Sequence, residues 1–260
     1  MFNCSKIRVA VVAASLLTLA GTSSALAQTN AEVLRTNPQI SGWATSVVDW
    51  QAGPMDYADP GLGIVSFGLP TDVLGDAGSA FSLGDGGWIT LSFDGFIADG
   101  AGEDFVVFEN AFEYEGLVFA ELAFVEVSTD GVVFARMPAV SRIDRALGPW
   151  DGITPDEVYN LAGNHVGGTA FDLADLAADL LVISGQVNLA QINYVRVVDV
   201  IGDYLGSATV DASGTPISDP YPTGFASGGF DLTGVAIMNP AGAVPAVASS
   251  VGALKSNFSR

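Results

Sequence analysis

Short runs of aromatic and β-branched residues, each closed by Gly, Asp or Pro, recur along the whole chain, the pattern of many strands joined by tight turns. Residues 88–93 (WITLSF) alternate and run into Asp94-Gly95, predicting a strand and its turn. Residues 105–109 (FVVFE) are almost continuously apolar, as a strand buried on both faces must be. Residues 122–128 and 132–137 flank Thr129-Asp130-Gly131 and predict a hairpin, with Gly131 free to take positive φ. Residues 192–201 and 231–238 read as two further strands, the second closing the fold. Helical spacing occurs at residues 170–181, where Phe171, Leu173, Leu176, Ala177 and Leu180 share a face behind the candidate N-cap Asp172. Nothing alternates as βαβ and no repeat has a fixed period. The expected class is all-β, a jelly-roll-like antiparallel β-sandwich. It carries one short helix and long Gly/Pro-rich loops at residues 141–170 and 202–229, a length that often carries function.

The first 27 residues set the compartment. Lys6 and Arg8 lead into an apolar stretch over residues 7–20, and Ala25-Leu26-Ala27 precedes Gln28 as an A-x-A cleavage site. The run is short for a bilayer span and ends in small residues, so it predicts a cleavable signal peptide and not an anchor. Cys4 lies before the apolar run, where a lipoprotein cysteine would follow it. The expected organisation is a signal peptide at 1–27, a single β-sandwich domain at 28–239 and a flexible Ala/Ser/Gly/Val-rich tail at 240–260. The expected location is extracellular, cell surface or periplasmic, without membrane insertion after cleavage.

Charge narrows the partners. Loss of Lys6 and Arg8 leaves seven basic residues against 29 acidic ones, a formal charge of −22. Nucleic acid is excluded as a partner, because phosphate binding needs clustered Lys and Arg. The only cysteine leaves with the signal, so the domain is expected to fold without disulfides. At this length a core can suffice, and bound metal could add cross-links.

The chemistry available is equally narrow. His165 is the only histidine and sits in a glycine-rich loop with no G-x-S-x-G serine in the chain, so no catalytic residue is assigned. Glu109 and Glu126 each interrupt an apolar strand. A buried acid must be paired, metal-bound, hydrogen-bonded or protonated, and Arg196 is a candidate partner. Acidic turns at Asp56 and Asp59, at Asp104, at Asp199 and at Asp231, together with Glu109, make a candidate calcium-ligand set. Such loops offer the hard oxygens Ca²⁺ takes. Turn conformation alone also accounts for Asp and Gly in any one loop. Trp43, Trp50, Trp88, Trp150, Tyr114, Tyr159, Tyr204 and Tyr221 lie mostly in or beside loops, where they either cap the sandwich or stack on sugar faces.

Several segments together resemble a known family: residues 86–112 (GGWITLSFDGFIADGAGEDFVVFENAF), 119–138 (FAELAFVEVSTDGVVFARMP), 162–176 (AGNHVGGTAFDLADL), 194–203 (YVRVVDVIGD) and 227–239 (SGGFDLTGVAIMN). The family is that of exported bacterial "cell surface proteins", some of which carry a C-terminal PEP-CTERM sorting segment. The likeness runs from about residue 56 to 239 and implies no established enzymatic activity. The tail lacks Pro-Glu-Pro, a long apolar span and a terminal basic cluster, which implies a released or non-covalently held protein. Val125-Glu126-Val127-Ser128-Thr129-Asp130-Gly131 with Phe134, and Tyr194-Val195-Arg196-Val197, also resemble discoidin-like, galactose-binding β-sandwiches. That likeness implies ligand and calcium sites in loops at one end. The expected function is a calcium-stabilised, non-catalytic binding module for carbohydrate or matrix polymer. The alternatives are a polysaccharide hydrolase or lyase using a carboxylate pair, and a structural surface or matrix protein without a small ligand.

Overall fold

The computed structural model describes residues 28–241. The expected signal peptide, and the expected tail beyond its first two residues, lie outside the described residues. All strand pairs are antiparallel. One sheet orders β1 (Glu32–Val33), β13 (Gly168–Phe171), β6 (Phe105–Glu109), β15 (Asp231–Ile237) and β2 (Gly42–Trp43), with β4 (Phe81–Ser82) also on β15. The second orders β10 (Ala135–Arg136), β9 (Ala123–Ser128), β14 (Ile192–Asp199), β5 (Trp88–Ile97) and β16 (Pro240–Ala241), with β3 (Ser46–Gln51) also on β5.

The main core lies between these sheets. Phe105, Val107, Phe171, Leu232 and Val235 from the first meet Ile89, Leu91, Val125, Val195 and Val197 from the second. Phe105 stacks on Phe171 with centroids 5.2 Å apart and planes 14° from parallel. Each such side chain, fully buried, contributes about 1.5–3 kcal/mol. All five residues of β6 are buried, as its apolar run requires. Phe105 and Val107 face the main core, while Val106 and Phe108 face outward, onto Val33, Ala170 and Ala236. A separate apolar cluster, with Leu122, Phe124, Ile143, Ile153, Leu161 and Ile217 at its centre, lies beneath the two long loops.

Three local expectations change. The loop after β9 is longer than a tight hairpin, because Asp130 Oδ1 accepts the N–H groups of Val132 (2.8 Å) and Val133 (2.9 Å). Pairing resumes only at Ala135, opposite Val127. Asp94-Gly95 does not end β5; the register against β14 slips there, and β16 pairs with Phe96 and Ile97. The expected helix is divided. Ala170 and Phe171 belong to β13, Asp172 caps a 3₁₀ turn (Leu173–Leu176), and Asp179 caps α1, the single turn Leu180–Ile183. No helix among the described residues is long and apolar enough to cross a membrane.

Candidate functional site

Chain direction gathers acids at one end of the sandwich. β6 ends at Glu109 beside the start of β15 at Asp231, and the N–H of Asn110 donates to the Asp231 carbonyl (3.2 Å). In the other sheet, β14 ends at Asp199 opposite the start of β9, with Glu121 just before it, and Asp85 lies in the loop entering β5. Asp219, from the loop over residues 202–229, accepts the N–H of Leu122 (2.8 Å). All six carboxylates are buried. Two glycines make the crowding possible. A Cβ on Gly202 would stand 2.0 Å from Asp219 Oδ1, and one on Gly163 would stand 2.1 Å from the Glu121 carbonyl oxygen.

Burial and mutual repulsion raise these acids together. Glu109 is pushed well above the usual carboxylate range, first by burial and then by Asp231. Glu121 is raised by burial and then by Glu109, Asp231, Asp219 and Asp199. Burial also lifts Asp199 and Asp219 well above normal, with Asp85 and Asp231 adding to the first and Asp199 to the second. Asp85 and Asp231 are each raised by burial to about 6.

No cation answers this charge among the described residues. Arg35 bonds Asp76 and Thr233, Arg136 and Arg196 both hold Glu126, Arg142 donates to the Asp156 carbonyl, and Arg145 pairs with Glu157. His165 Nε2 lies 2.9 Å from the Asn30 carbonyl, a structural setting for the sole histidine.

Glu109, Glu121 and Asp231 line a narrow cleft of about 140 Å³, smaller than the usual small-molecule pocket. Its walls are aromatic. Between Glu109 and Glu121 in sequence lies a hairpin of β7 (Phe112–Tyr114) and β8 (Leu117–Phe119). It turns through Glu115 and Gly116, both at positive φ, as a two-residue type I′ loop requires. Val118 and Ile153 exchange backbone hydrogen bonds (2.8 and 2.9 Å), which ties the hairpin to the loop over residues 141–170. That loop also carries a second two-stranded ribbon, β11 (Val140–Ser141) with β12 (Val158–Tyr159). Phe112 stacks on Phe119 (4.9 Å, 14°), Phe119 meets Trp150 (6.0 Å), and Trp150 meets Phe225 (5.7 Å). Trp150 is 66% exposed, and Phe112, Tyr114 and Phe225 are also exposed.

The candidate calcium ligands therefore separate. Glu109, Asp199 and Asp231 come together at this end. Asp56 lies nearby, accepting from Tyr221 Oη (2.9 Å) and acting on Asp85 through its charge. Asp59 is exposed and caps the 3₁₀ turn Pro60–Leu62. Asp104 is at the opposite end, where its carboxylate oxygens and those of Asp99 and Asp172 lie within 4.8 Å of one another. The Asp104 oxygens are already occupied by the N–H groups of Gly100 and Leu173 and by Asn239 Nδ2. Glu126 faces Arg136 (2.8 Å) and Arg196 (3.4 Å), so its charge is compensated by ion pairing and it is not in the cleft. Among the aromatic residues singled out in the sequence, Trp150 and Tyr114 belong to this face. Trp43 instead packs on Phe108 and Arg35, and Trp88 lies under Arg196. Glu121, Asp219, Asp85, Phe112, Phe119 and Phe225 complete the end without having stood out in the sequence. No family model and no curated protein matches this chain.

Proposed function

We propose that this protein is an exported, cell-surface or secreted binding module, non-catalytic and calcium-stabilised, that takes a carbohydrate or matrix polymer in the aromatic cleft. The observation that carries the reading is the run of exposed Phe112, Trp150 and Phe225, joined by half-buried Phe119, beside a floor of carboxylates. Aromatic faces suit the C–H surface of a sugar ring, and acceptor-rich floors suit its hydroxyls. Solvent-exposed rings of this size are otherwise unfavourable on a monomer surface. Binding is tested by affinity electrophoresis through gels containing soluble polysaccharides. Trp150→Ala is expected to lose retention while its circular dichroism is unchanged. Equal retention of Trp150→Ala and wild type would refute the reading.

A polysaccharide hydrolase or lyase is the second reading, favoured by one observation. Glu109 and Glu121 line the same cleft and both hold their protons unusually tightly, as a general acid must. Release of reducing ends or unsaturated products, abolished by Glu121→Gln, would establish it over the module.

A further inference from the structure

The acids at this end divide by what their oxygens touch. Asp199 accepts the N–H groups of Gly86 (2.9 Å) and Phe230 (2.7 Å), Asp219 that of Leu122, and Asp85 that of Tyr57 (2.8 Å). Asp231 is held by the Ser82 hydroxyl. These four carboxylates latch loops to strand ends. Glu109 differs. It is only 8% exposed and lines the narrow cleft, yet its Oε2 has no hydrogen-bond partner. Glu121, also buried, lines the cleft beside it. An unmatched buried carboxylate is costly, and a donor or a positive charge must offset it. Apart from Pro149 and Trp150, every residue lining the cleft comes from residues 36–135 or 197–241, which contain no Lys, Arg or His. The compensating charge is one that a ligand can bring.

A metal ion does not fit this cleft. The carboxylate oxygens of Glu109, Glu121 and Asp231 do not converge at ligating distance; among the described residues only those of Asp99, Asp104 and Asp172 do. An organic ammonium has other requirements. Each N–H needs one acceptor, best a carboxylate at charge-assisted hydrogen-bond length, with no polyhedron around the nitrogen. It also gains from the negative faces of aromatic rings, and Phe112, Phe119, Trp150 and Phe225 line the same cleft as the acids. At about 140 Å³ the space admits an ammonium group and the carbon that carries it, but no whole sugar. A carbohydrate must then keep its ring at the mouth, where Trp150 and Phe225 are exposed, and send one substituent inward.

We infer that the cleft takes the free ammonium group of an amino sugar, held by Glu109 and Glu121, and that the polymer bound is a glycan with unacetylated amino groups. This deepens the binding-module reading and rests on it for the glycan. A neutral sugar offers the floor no positive charge, and a uronic or sulfated polymer would bring more negative charge to an end without cations. A quaternary ammonium has no N–H for Glu109. An N-acetyl group removes the charge and adds bulk to the substituent that must enter.

The test is calorimetric titration with glucosamine tetramer, its fully N-acetylated counterpart, cellotetraose and putrescine. The glucosamine tetramer should bind the wild-type protein at least about tenfold more tightly than each of the other three, the worth of one charged hydrogen bond. Glu109→Gln and Glu121→Gln should each weaken it by about the same factor. Asp99→Asn, which removes the same charge at the opposite end, should leave it unchanged. Thermal melts check that the Gln variants fold, and the comparison of ligands on wild type stands without them. Equal binding of the acetylated tetramer or of cellotetraose overturns the ammonium site and leaves the module reading standing. Equal weakening by Asp99→Asn makes the attraction a matter of net charge and overturns it likewise. Putrescine binding as tightly as the tetramer overturns the glycan as the source of the amine. A glucosamine tetramer that does not bind overturns the inference, while retention of wild type against Trp150→Ala in polysaccharide gels decides the module reading separately.

Discussion

The buried acids make the stability of the metal-free protein run against the usual pH trend. The perturbation is a titration from about pH 8 to about pH 5 in chelator. In the unfolded chain Asp85 and Asp231 titrate near 3.8, whereas in the fold each is raised to about 6. Between those values the native state holds more protons, so stability rises as pH falls. The stabilisation is complete below the unfolded value and is lost as pH rises through the folded one. Down to about pH 5 each group gains roughly one pH unit's worth of stabilisation, about 1.4 kcal/mol, so the pair accounts for roughly 3 kcal/mol before screening. Residual solvent contact reduces this, and halving it leaves about 1.5 kcal/mol. For a domain of this size that is a rise in melting midpoint of about 3–6 °C. Glu109, Glu121, Asp199 and Asp219 are raised in the same direction and add to it. The opposing groups act lower. Asp130 and Asp211 are held below the usual range by hydrogen bonds, Asp203 by Tyr57 and Glu157 by Arg145. Their stabilisation is lost only as pH falls through those lowered values, so the optimum lies between about pH 4 and about pH 6. Scanning calorimetry measures this directly. A metal-free midpoint that is level or falls from about pH 8 to about pH 5 would refute the reasoning.

Other substitutions test the surrounding framework. Glu126→Ala removes the shared partner of Arg136 and Arg196 and should cost about 1–2 kcal/mol in urea denaturation. Asp104→Ala strips the acceptor from two backbone N–H groups and should cost about 2–4 kcal/mol by the same measurement. Gly168→Ala would place a methyl 2.4 Å from Val106 Cγ1 and 2.7 Å from the Phe108 ring, for a loss of about 1–3 kcal/mol.

The strands were legible where hydrophobic pattern alone decides them. FVVFE is buried throughout because two sheet faces need it, and β9, β14 and β15 follow their apolar runs within a few residues. Local turn chemistry misleads where partners intervene. Asp94-Gly95 stays within a strand because β16 pairs just beyond it, and Asp130 enlarges a loop by capturing two amides. Glu109 and Glu126 look alike in sequence, each a lone acid in an apolar strand. Only the fold shows that Arg196 reaches one and not the other. Asp85 sits in a turn and Glu121 and Asp219 in irregular loop, where acids are ordinary. One signal was available at the level of the whole chain. Residues 36–135 and 197–241 contain no Lys, Arg or His, and all six buried acids come from those two stretches. The aromatic wall was half visible: Trp150 and Tyr114 stood out in the sequence, whereas Phe112 and Phe119 fell between the strands read there and meet only when the hairpin pairs them.

The cleft walls rest on the apolar cluster beneath the loops, and the two sheets close on a different one. The loop-bearing face and the main sheet core therefore draw on largely distinct side chains, with Phe124 of β9 and Val198 of β14 joining the first from the sheet. Exchange of Trp150, Phe225 or the hairpin tip touches neither of the two large sheet ladders, so this face can change at little expense to the sandwich. The carboxylate floor is the exception: its residues sit on strand ends and loops that both sheets share, which makes it the fixed point about which the rings can vary.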